Sequence, residues 1–251
     1  MELYQKPFDY DSRSRDYDRY RSPGGPHIAL LKELASKAKA QRILELGPGT
    51  GNSAMSFLAD YPCQLIGLDR SWGMLSQARL KGLNVAWVNG DACSQPFPSK
   101  EFDFVFSVLA FHHIMDYKAC IQECFRVLKA GCLTIVTAPE KFIENHILNR
   151  YFPSFSSIDK ARFQSESHLL DAMGEAGFQA ATMEYCQRSA VPVDKEFAAK
   201  VEGKFLSTLA LVPEDEFADG VARLNREIKE KGSLTESFIW EAVVISGWKI
   251  T

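Results

Sequence analysis

No stretch of this 251-residue sequence stays apolar for the roughly 18 residues that a membrane-spanning helix needs. The opening Met1-Glu2-Leu3-Tyr4-Gln5-Lys6 runs into charges, not into the apolar core of a secretory leader. A cytoplasmic location with no membrane span is therefore expected. An excess of basic charge is also missing: 29 Lys and Arg against 32 Asp and Glu leave a net charge of −3. With no basic strip interleaved with aromatics either, no nucleic-acid partner is expected. The six cysteines, Cys63, Cys93, Cys120, Cys124, Cys132 and Cys186, contain no C-x-x-C pair, which excludes the usual signs of a disulfide framework or a zinc knuckle. Cys120 and Cys124 are one helical turn apart beside Ile121, Phe125 and Leu128, where reduced cysteine acts as a small hydrophobe. No metal is expected at His112-His113, because no further ligands complete a set there on a clear helix.

What the chain does carry is 46% hydrophobic and 24% charged residues, enough for a full α/β core in one elaborated domain. The most informative segment is Arg42-Ile43-Leu44-Glu45-Leu46-Gly47-Pro48-Gly49-Thr50-Gly51. Ile43, Leu44 and Leu46 form a short apolar run typical of a buried parallel strand, and three alternate glycines let the backbone turn tightly against a ligand. Gly51 opens a helix over Asn52 to Ala59, and the loop amides and helix N-terminus are expected to face the ligand. A second strand, Gln64 to Leu68, ends at Asp69, where a nucleotide fold places its ribose-binding carboxylate. A dinucleotide fingerprint counted from Gly47 needs glycine at position 52, but Asn52 stands there, which disfavours an NAD-type oxidoreductase.

The motif Glu45-Leu46-Gly47-Pro48-Gly49-Thr50-Gly51 followed by Asp69 resembles the class I S-adenosylmethionine-dependent methyltransferases, in particular a small-molecule, quinone-biosynthesis-like group. The likeness extends to Leu68-Asp69-Arg70-Ser71-Trp72-Gly73-Met74-Leu75, to Asn89-Gly90-Asp91-Ala92, to Phe102-Asp103-Phe104-Val105-Phe106-Ser107 and to Glu123-Cys124-Phe125-Arg126-Val127-Leu128-Lys129-Ala130-Gly131-Cys132-Leu133. In the last of these Ala130 and Cys132 replace the usual Pro and second Gly. The resemblance implies S-adenosyl-L-methionine as cofactor. Glu45, Gly47, Pro48, Gly49 and Gly51 would meet its amino-acid part, Asp69 its ribose hydroxyls, and Asp91 with Ala92 its adenine, which Arg70 and Met74 would flank. Tyr17 and Arg21, in a Y-D-x-x-R lead, and Ser107 at the end of strand four complete the expected cofactor set. His112 or His113 after strand four would take a proton from an acceptor, because neutral imidazole titrates near physiological pH. Phe111, His112 and Tyr151 would line the acceptor site.

The alternation of strands and helices predicts a doubly wound, seven-stranded Rossmann-like sheet, its last strand antiparallel, with helical cap insertions. Strands are expected over Arg42 to Leu46, Gln64 to Leu68, Asn84 to Val88, Phe102 to Val108, Leu133 to Ala138, Phe178 to Gln187 and Ser237 to Trp248. Within one domain, residues 1–38 form a lead and helix, 39–191 the cofactor-binding core, 192–233 a helical cap, and 234–251 the final strand. The cap helices are expected over Asp194 to Leu211 and Pro213 to Lys231, the second with an apolar stripe of Phe217, Val221, Leu224 and Ile228. That stripe would roof the acceptor site or, as the alternative, join a homodimer. The bulky residues of Pro139 to Phe163 would wall the same pocket. The expected activity is methyl transfer to a small-molecule acceptor, against the alternatives of an NAD-type oxidoreductase or a non-catalytic cofactor-binding module.

Overall fold

The central parallel strands are apolar runs buried on both faces, whereas the edge strand Val85–Asn89 is only partly covered. The computed structural model describes residues 9–21 and 23–250. Tyr4 and Phe8 of the lead, Ser22 of the break after it, and Thr251 lie outside the described residues. A 3-10 turn, Tyr17–Tyr20, is followed by α1 (Pro26–Lys37), β1 (Arg42–Leu46), α2 (Asn52–Leu58), β2 (Gln64–Asp69), α3 (Trp72–Leu80), β3 (Val85–Asn89) and β4 (Phe102–Val108). Then come α4 (Tyr117–Val127), β5 (Leu128–Thr137), α5 (Glu140–Asn145), α6 (Phe155–Lys160), α7 (Glu166–Ala176) and β6 (Gln179–Gln187). The chain ends with β7 (Val191–Pro192), α8 (Lys195–Glu202), α9 (Glu214–Lys231), β8 (Ser237–Phe238) and β9 (Glu241–Lys249).

Seven strands form one sheet in the order β3-β2-β1-β4-β5-β9-β6. The first five are parallel, and β9 runs antiparallel to both β5 and β6. The order reverses between β1 and β4, so their carboxyl ends open the crevice where such sheets take ligands. One buried cluster, including Leu44, Leu68, Ile121, Leu133 and Met173, covers one face of the sheet. A second, with Leu31, Ile43, Phe57, Phe104 and Phe106, covers the other. Helix α7 is capped at its start by Ser165 Oγ, which accepts from the His168 amide at 3.3 Å, and stops at Gly177 with φ 101°.

Three local expectations need correction. Strand β5 begins at Leu128, five residues before the expected Leu133, because Leu128 already pairs with Phe102 of β4 ahead of an irregularity that ends at Cys132. The helix expected from Asp194 to Leu211 stops at Glu202: Gly203 ends it and Lys204 turns left-handed at φ 49°, leaving a separate 3-10 turn at Ser207–Ala210. The final strand is broken at Ile239–Trp240, and its first piece, β8, pairs instead with β7. That small ribbon ties together the two ends of the 192–233 insertion.

The insertion and the Pro139 to Phe163 segment bury against each other in a third cluster, which includes Leu148, Phe152, Phe155, Val201, Leu209, Phe217 and Leu224. The Phe152 and Phe217 rings stack 5.7 Å apart. Gly220 permits this, since a Cβ there would lie 2.4 Å from Phe152 Cε1. Thus Phe217, Leu224 and Ile228 neither roof a pocket nor face outward; they form the cap's own core. The cap stands on the carboxyl-end side of β5, because α5 leaves that strand directly.

Candidate active site

At the start of the site, β1 delivers Glu45 and the glycine loop to the crevice. Gly47, Gly49 and Gly51 all sit in the left-handed region, at φ 66°, 55° and 80°, which explains why the chain places glycine at each. A Cβ on Gly47 would lie 2.4 Å from Ala110 Cβ, whereas one on Gly49 would meet nothing within 4 Å. Open space at Gly49 is the cradle that a ligand would fill. The glycine amides, expected to face the ligand, are instead already used: Gly47 N donates to Leu68 O, Gly51 N to Pro48 O, and Gly49 N to Asp69 Oδ2, each at 2.9 Å. The glycines therefore contribute close approach more than hydrogen bonds.

Glu45 is fully buried, and its Oε1 accepts from Ser53 Oγ. Its Oε2 has no partner among the described residues. Burial pushes the carboxyl up to about 8, so a cation brought to Oε2 would find an acceptor that water does not reach. The ammonium of S-adenosylmethionine is such a cation. Asp69, at the end of β2, is partly buried and held above the usual carboxylate range by desolvation, while amide donation from Ser71 and Gly49 opposes that shift. Asp91 is exposed, with Oδ1 accepting from Cys93 N at 2.8 Å. Met74 is 2% exposed beneath α3, and Arg70 is exposed. Ser107 does not turn to this cradle: its buried hydroxyl donates to Leu46 O at 3.0 Å and so joins β4 to β1.

The lead straps across the cradle at two points. Asp18 accepts from Thr50 Oγ1 at 2.6 Å and from Asn52 Nδ2 at 2.8 Å, and it pairs with Lys81 at 2.8 Å. Asp11 accepts from Ser71 Oγ at 2.6 Å and from Gly73 N at 2.7 Å, near the start of α3. Tyr17 and Arg21, expected with the cofactor, are placed on the cap side. The Arg21 guanidinium lies 3.5 Å from the Tyr17 ring centre, and its Nη2 donates to Phe205 O at 2.8 Å. Asp18 thus takes the glycine-loop contact within that lead.

After β4 the backbone passes through Leu109 at φ 50°, an uncommon conformation for a non-glycine residue that turns the following residues over the crevice. Phe111 is buried in the sheet core. His113 Nε2 meets Tyr10 Oη at 2.5 Å. The His112 ring stacks on Phe163 with centres 3.9 Å apart and planes at 10°, and its Nδ1 is sealed without a partner among the described residues. Desolvation by burial, with neighbouring guanidinium charge, holds His112 well below the usual range and brings His113 to about 3. Both rings are neutral at pH 7. Tyr10 also hydrogen-bonds Ser207, and Ser207 Oγ accepts from Arg162 Nη2 at 3.2 Å. A cleft of about 350 Å³ opens between lead and cap beside Tyr10, Arg21 and Ser207.

Tyr151 is not brought to this place. It is 2% exposed in the cap core, with its hydroxyl donating to Glu227 Oε2 at 2.8 Å, because the helical stripe of α9 packs over it. Beside Tyr10 of the lead and Phe163 of the walling segment the structure brings Arg162 and Ser207, which no local pattern marks.

The methyltransferase-domain family matches residues 44–136, from the middle of β1 to the end of β5. An uncharacterized methyltransferase of Geobacillus sp. is 33% identical over 169 residues, covering 66% of this chain and 75% of that protein. The chain belongs to the class I S-adenosylmethionine-dependent methyltransferases. A demethylmenaquinone methyltransferase of Thermus thermophilus is 35% identical over 109 residues, 41% of this chain and 50% of that protein. The chain spans about half the length of several such curated relatives. Among solved structures, a protein of Anabaena variabilis described as a methyltransferase from an antibiotic biosynthesis pathway superposes with a TM-score of 0.73 at 22% identity, covering 91% of this chain and 98% of that one. This methyltransferase therefore uses S-adenosylmethionine, and the NAD-type alternative falls away. Among the described residues, no helix is long and apolar enough to cross a membrane.

Proposed function

We propose that this methyltransferase transfers a methyl group to a small-molecule acceptor enclosed by the lead, the turn after β4 and the cap. The observation that carries this reading is the three-way closure over the crevice. Tyr10 of the lead bonds His113 of the turn, and His112 stacks on Phe163 below the cap. The cleft beside these contacts is of a size to take a compact acceptor.

S-adenosylmethionine supplies an electrophilic methyl on a sulfonium when bound. Glu45 Oε2 is the group to hold its ammonium, and Asp69 the ribose hydroxyls, through the carboxylate lone pairs that Gly49 and Ser71 leave open. Asp91 and Ala92 are assigned to the adenine edge, and Arg70 and Met74 stand beside them on the next element. Positioning then lowers much of the barrier, since the acceptor atom needs to be held in line with the methyl carbon. His112 Nδ1, neutral and unpartnered, can take the proton of an acceptor hydroxyl. The His113–Tyr10 pair fixes the neighbouring turn.

Incubation with methyl-labelled cofactor and a cell extract separated into dialysable and macromolecular fractions tests the acceptor class. Label is expected in the dialysable fraction, and label confined to protein or nucleic acid would contradict the reading. With an acceptor in hand, His112→Gln is expected to lower kcat about 10²- to 10⁴-fold, the range for lost general-base catalysis, with cofactor affinity unchanged.

A further inference from the structure

Two guanidinium groups at the seam between lead and cap, Arg21 lining the cleft and Arg162 behind Ser207, carry more donors than the protein satisfies. The Arg162 side chain is 8% exposed; its Nη2 donates to Asp159 Oδ1 at 3.0 Å, to Ser207 Oγ at 3.2 Å and to Thr208 Oγ1 at 3.3 Å. Its Nε and Nη1 are buried with no partner among the described residues. Arg21 shows the same imbalance: Nη2 donates to Phe205 O at 2.8 Å, and Nη1 is sealed and unpartnered. Both guanidiniums reach the seam between lead and cap, Arg162 through Ser207 and Arg21 through the Phe205 carbonyl. Ser207, the partner of Arg162 and Tyr10, lies two residues beyond the carbonyl that holds Arg21.

The charges do not cancel. Asp159 is nearly buried, and it faces Arg162 and Thr208 Oγ1, at 2.7 Å from the latter. Arg21 has no carboxylate partner among the described residues; it rests on the Tyr17 ring. Arg162 thus has Asp159 as its paired carboxylate, whereas Arg21 has none in direct contact among the described residues. Guanidinium nitrogens left bare in a desolvated site are expensive, and an anion supplies both the charge and the acceptors they lack. The unpartnered His112 Nδ1 stands on the same side, stacked on the residue next to Arg162.

Resting on the reading of this space as the acceptor chamber, we propose that the acceptor bears an anionic group, a carboxylate or a phosphate, held by Arg162 and Arg21. The anion sets the acceptor's orientation, and His112 is left to face its reacting end. An acceptor analogue without the anionic group binds poorly for want of this contact.

Acetate and inorganic phosphate titrated separately into the full chain loaded with S-adenosylhomocysteine, followed by calorimetry, test the proposal, and the better-bound ion identifies the group. Asp159→Asn/Arg162→Met removes both members of the buried pair, so it avoids stranding one charge; Arg21→Met is the second variant. Each is expected to weaken the anion about tenfold or more, as for loss of a charge-assisted contact, with S-adenosylhomocysteine affinity within about twofold of the wild type. Anion affinity equal to the wild type's in both variants, or no anion binding to the loaded wild type, would overturn the proposal. So would a loss confined to S-adenosylhomocysteine while 5′-methylthioadenosine, which lacks the amino-acid carboxylate, binds normally, since the arginines would then hold the cofactor. Normal S-adenosylhomocysteine binding with arginine-independent anion binding removes only this inference. Failure of the wild type to bind S-adenosylhomocysteine would remove the cofactor site beneath it.

Discussion

The region proposed to hold the cofactor and the region proposed to hold the acceptor are built by opposite means. From Glu45 to Ala92 the proposed binding groups lie at the ends of three successive parallel strands, and the strand-end turns hold them: Glu45 by Ser53 Oγ, Asp69 by the Gly49 and Ser71 amides, Asp91 by Cys93 N. The proposed acceptor region joins residues far apart in the chain. Tyr10 meets His113, and Arg162 meets Ser207, only because the lead and the cap have folded onto the turn after β4. The first is preorganised by the sheet, while the second depends on the docking of two peripheral elements. Perturbations should therefore separate cofactor affinity from turnover.

The largest effect is expected from Gly49→Val. Its Cβ has open space in the protein but a left-handed φ of 55°, so folding should lose about 1–2 kcal/mol while cofactor binding disappears, because the new side chain occupies the cradle. Calorimetry with S-adenosylhomocysteine and thermal melting read the two separately. Asp69→Ala comes next, with cofactor affinity weakened by about 1.5–3 kcal/mol, the range for hydrogen bonds to a charged group. Unchanged affinity in a folded variant would remove Asp69 from the site.

A smaller effect concerns protons. Glu45 carries its proton up to about pH 8 in the free fold, against 4.5 for an ordinary glutamate. With more protons bound in the folded than in the unfolded state, the free protein should lose stability from this group as pH rises from 4.5 toward 8. An ammonium placed at Oε2 favours the carboxylate, so binding S-adenosylhomocysteine near neutral pH should release a fraction of a proton, measured by calorimetry in buffers of different ionisation enthalpy. Glu45→Gln should abolish that release. The smallest effect is Tyr151→Phe, which loses the bond to Glu227 and about 0.5–1.5 kcal/mol of stability, with kcat and KM unchanged. A large rise in KM would return Tyr151 to the acceptor chamber.

The same contrast decides what was legible in the sequence. Glycine spacing, apolar strand runs and the carboxylates Asp69 and Asp91 are local signals, and the sheet that they imply is present with its antiparallel strand. The apolar stripe on α9 was equally legible as a stripe, but its partner was not: Phe217 finds Phe152, a contact between distant segments that helical periodicity cannot name. For the same reason Arg162 and Ser207 carry no mark in sequence, since their role arises from Tyr10, His112 and His113 being brought to them. Loop-amide donation was misjudged because Asp69, the strand carbonyl of Leu68 and the loop carbonyl of Pro48 take the glycine N–H groups.

A crystal structure with S-adenosylhomocysteine tests the central claim most directly, because it shows which protein atoms each end of the cofactor meets. The account predicts the ammonium within hydrogen-bond distance of Glu45 Oε2, the ribose hydroxyls on Asp69, and the sulfur facing His112 and the space beneath Arg162 and Tyr10. A ligand that leaves Glu45 Oε2 unpartnered, or whose sulfur faces away from the turn after β4, would contradict it.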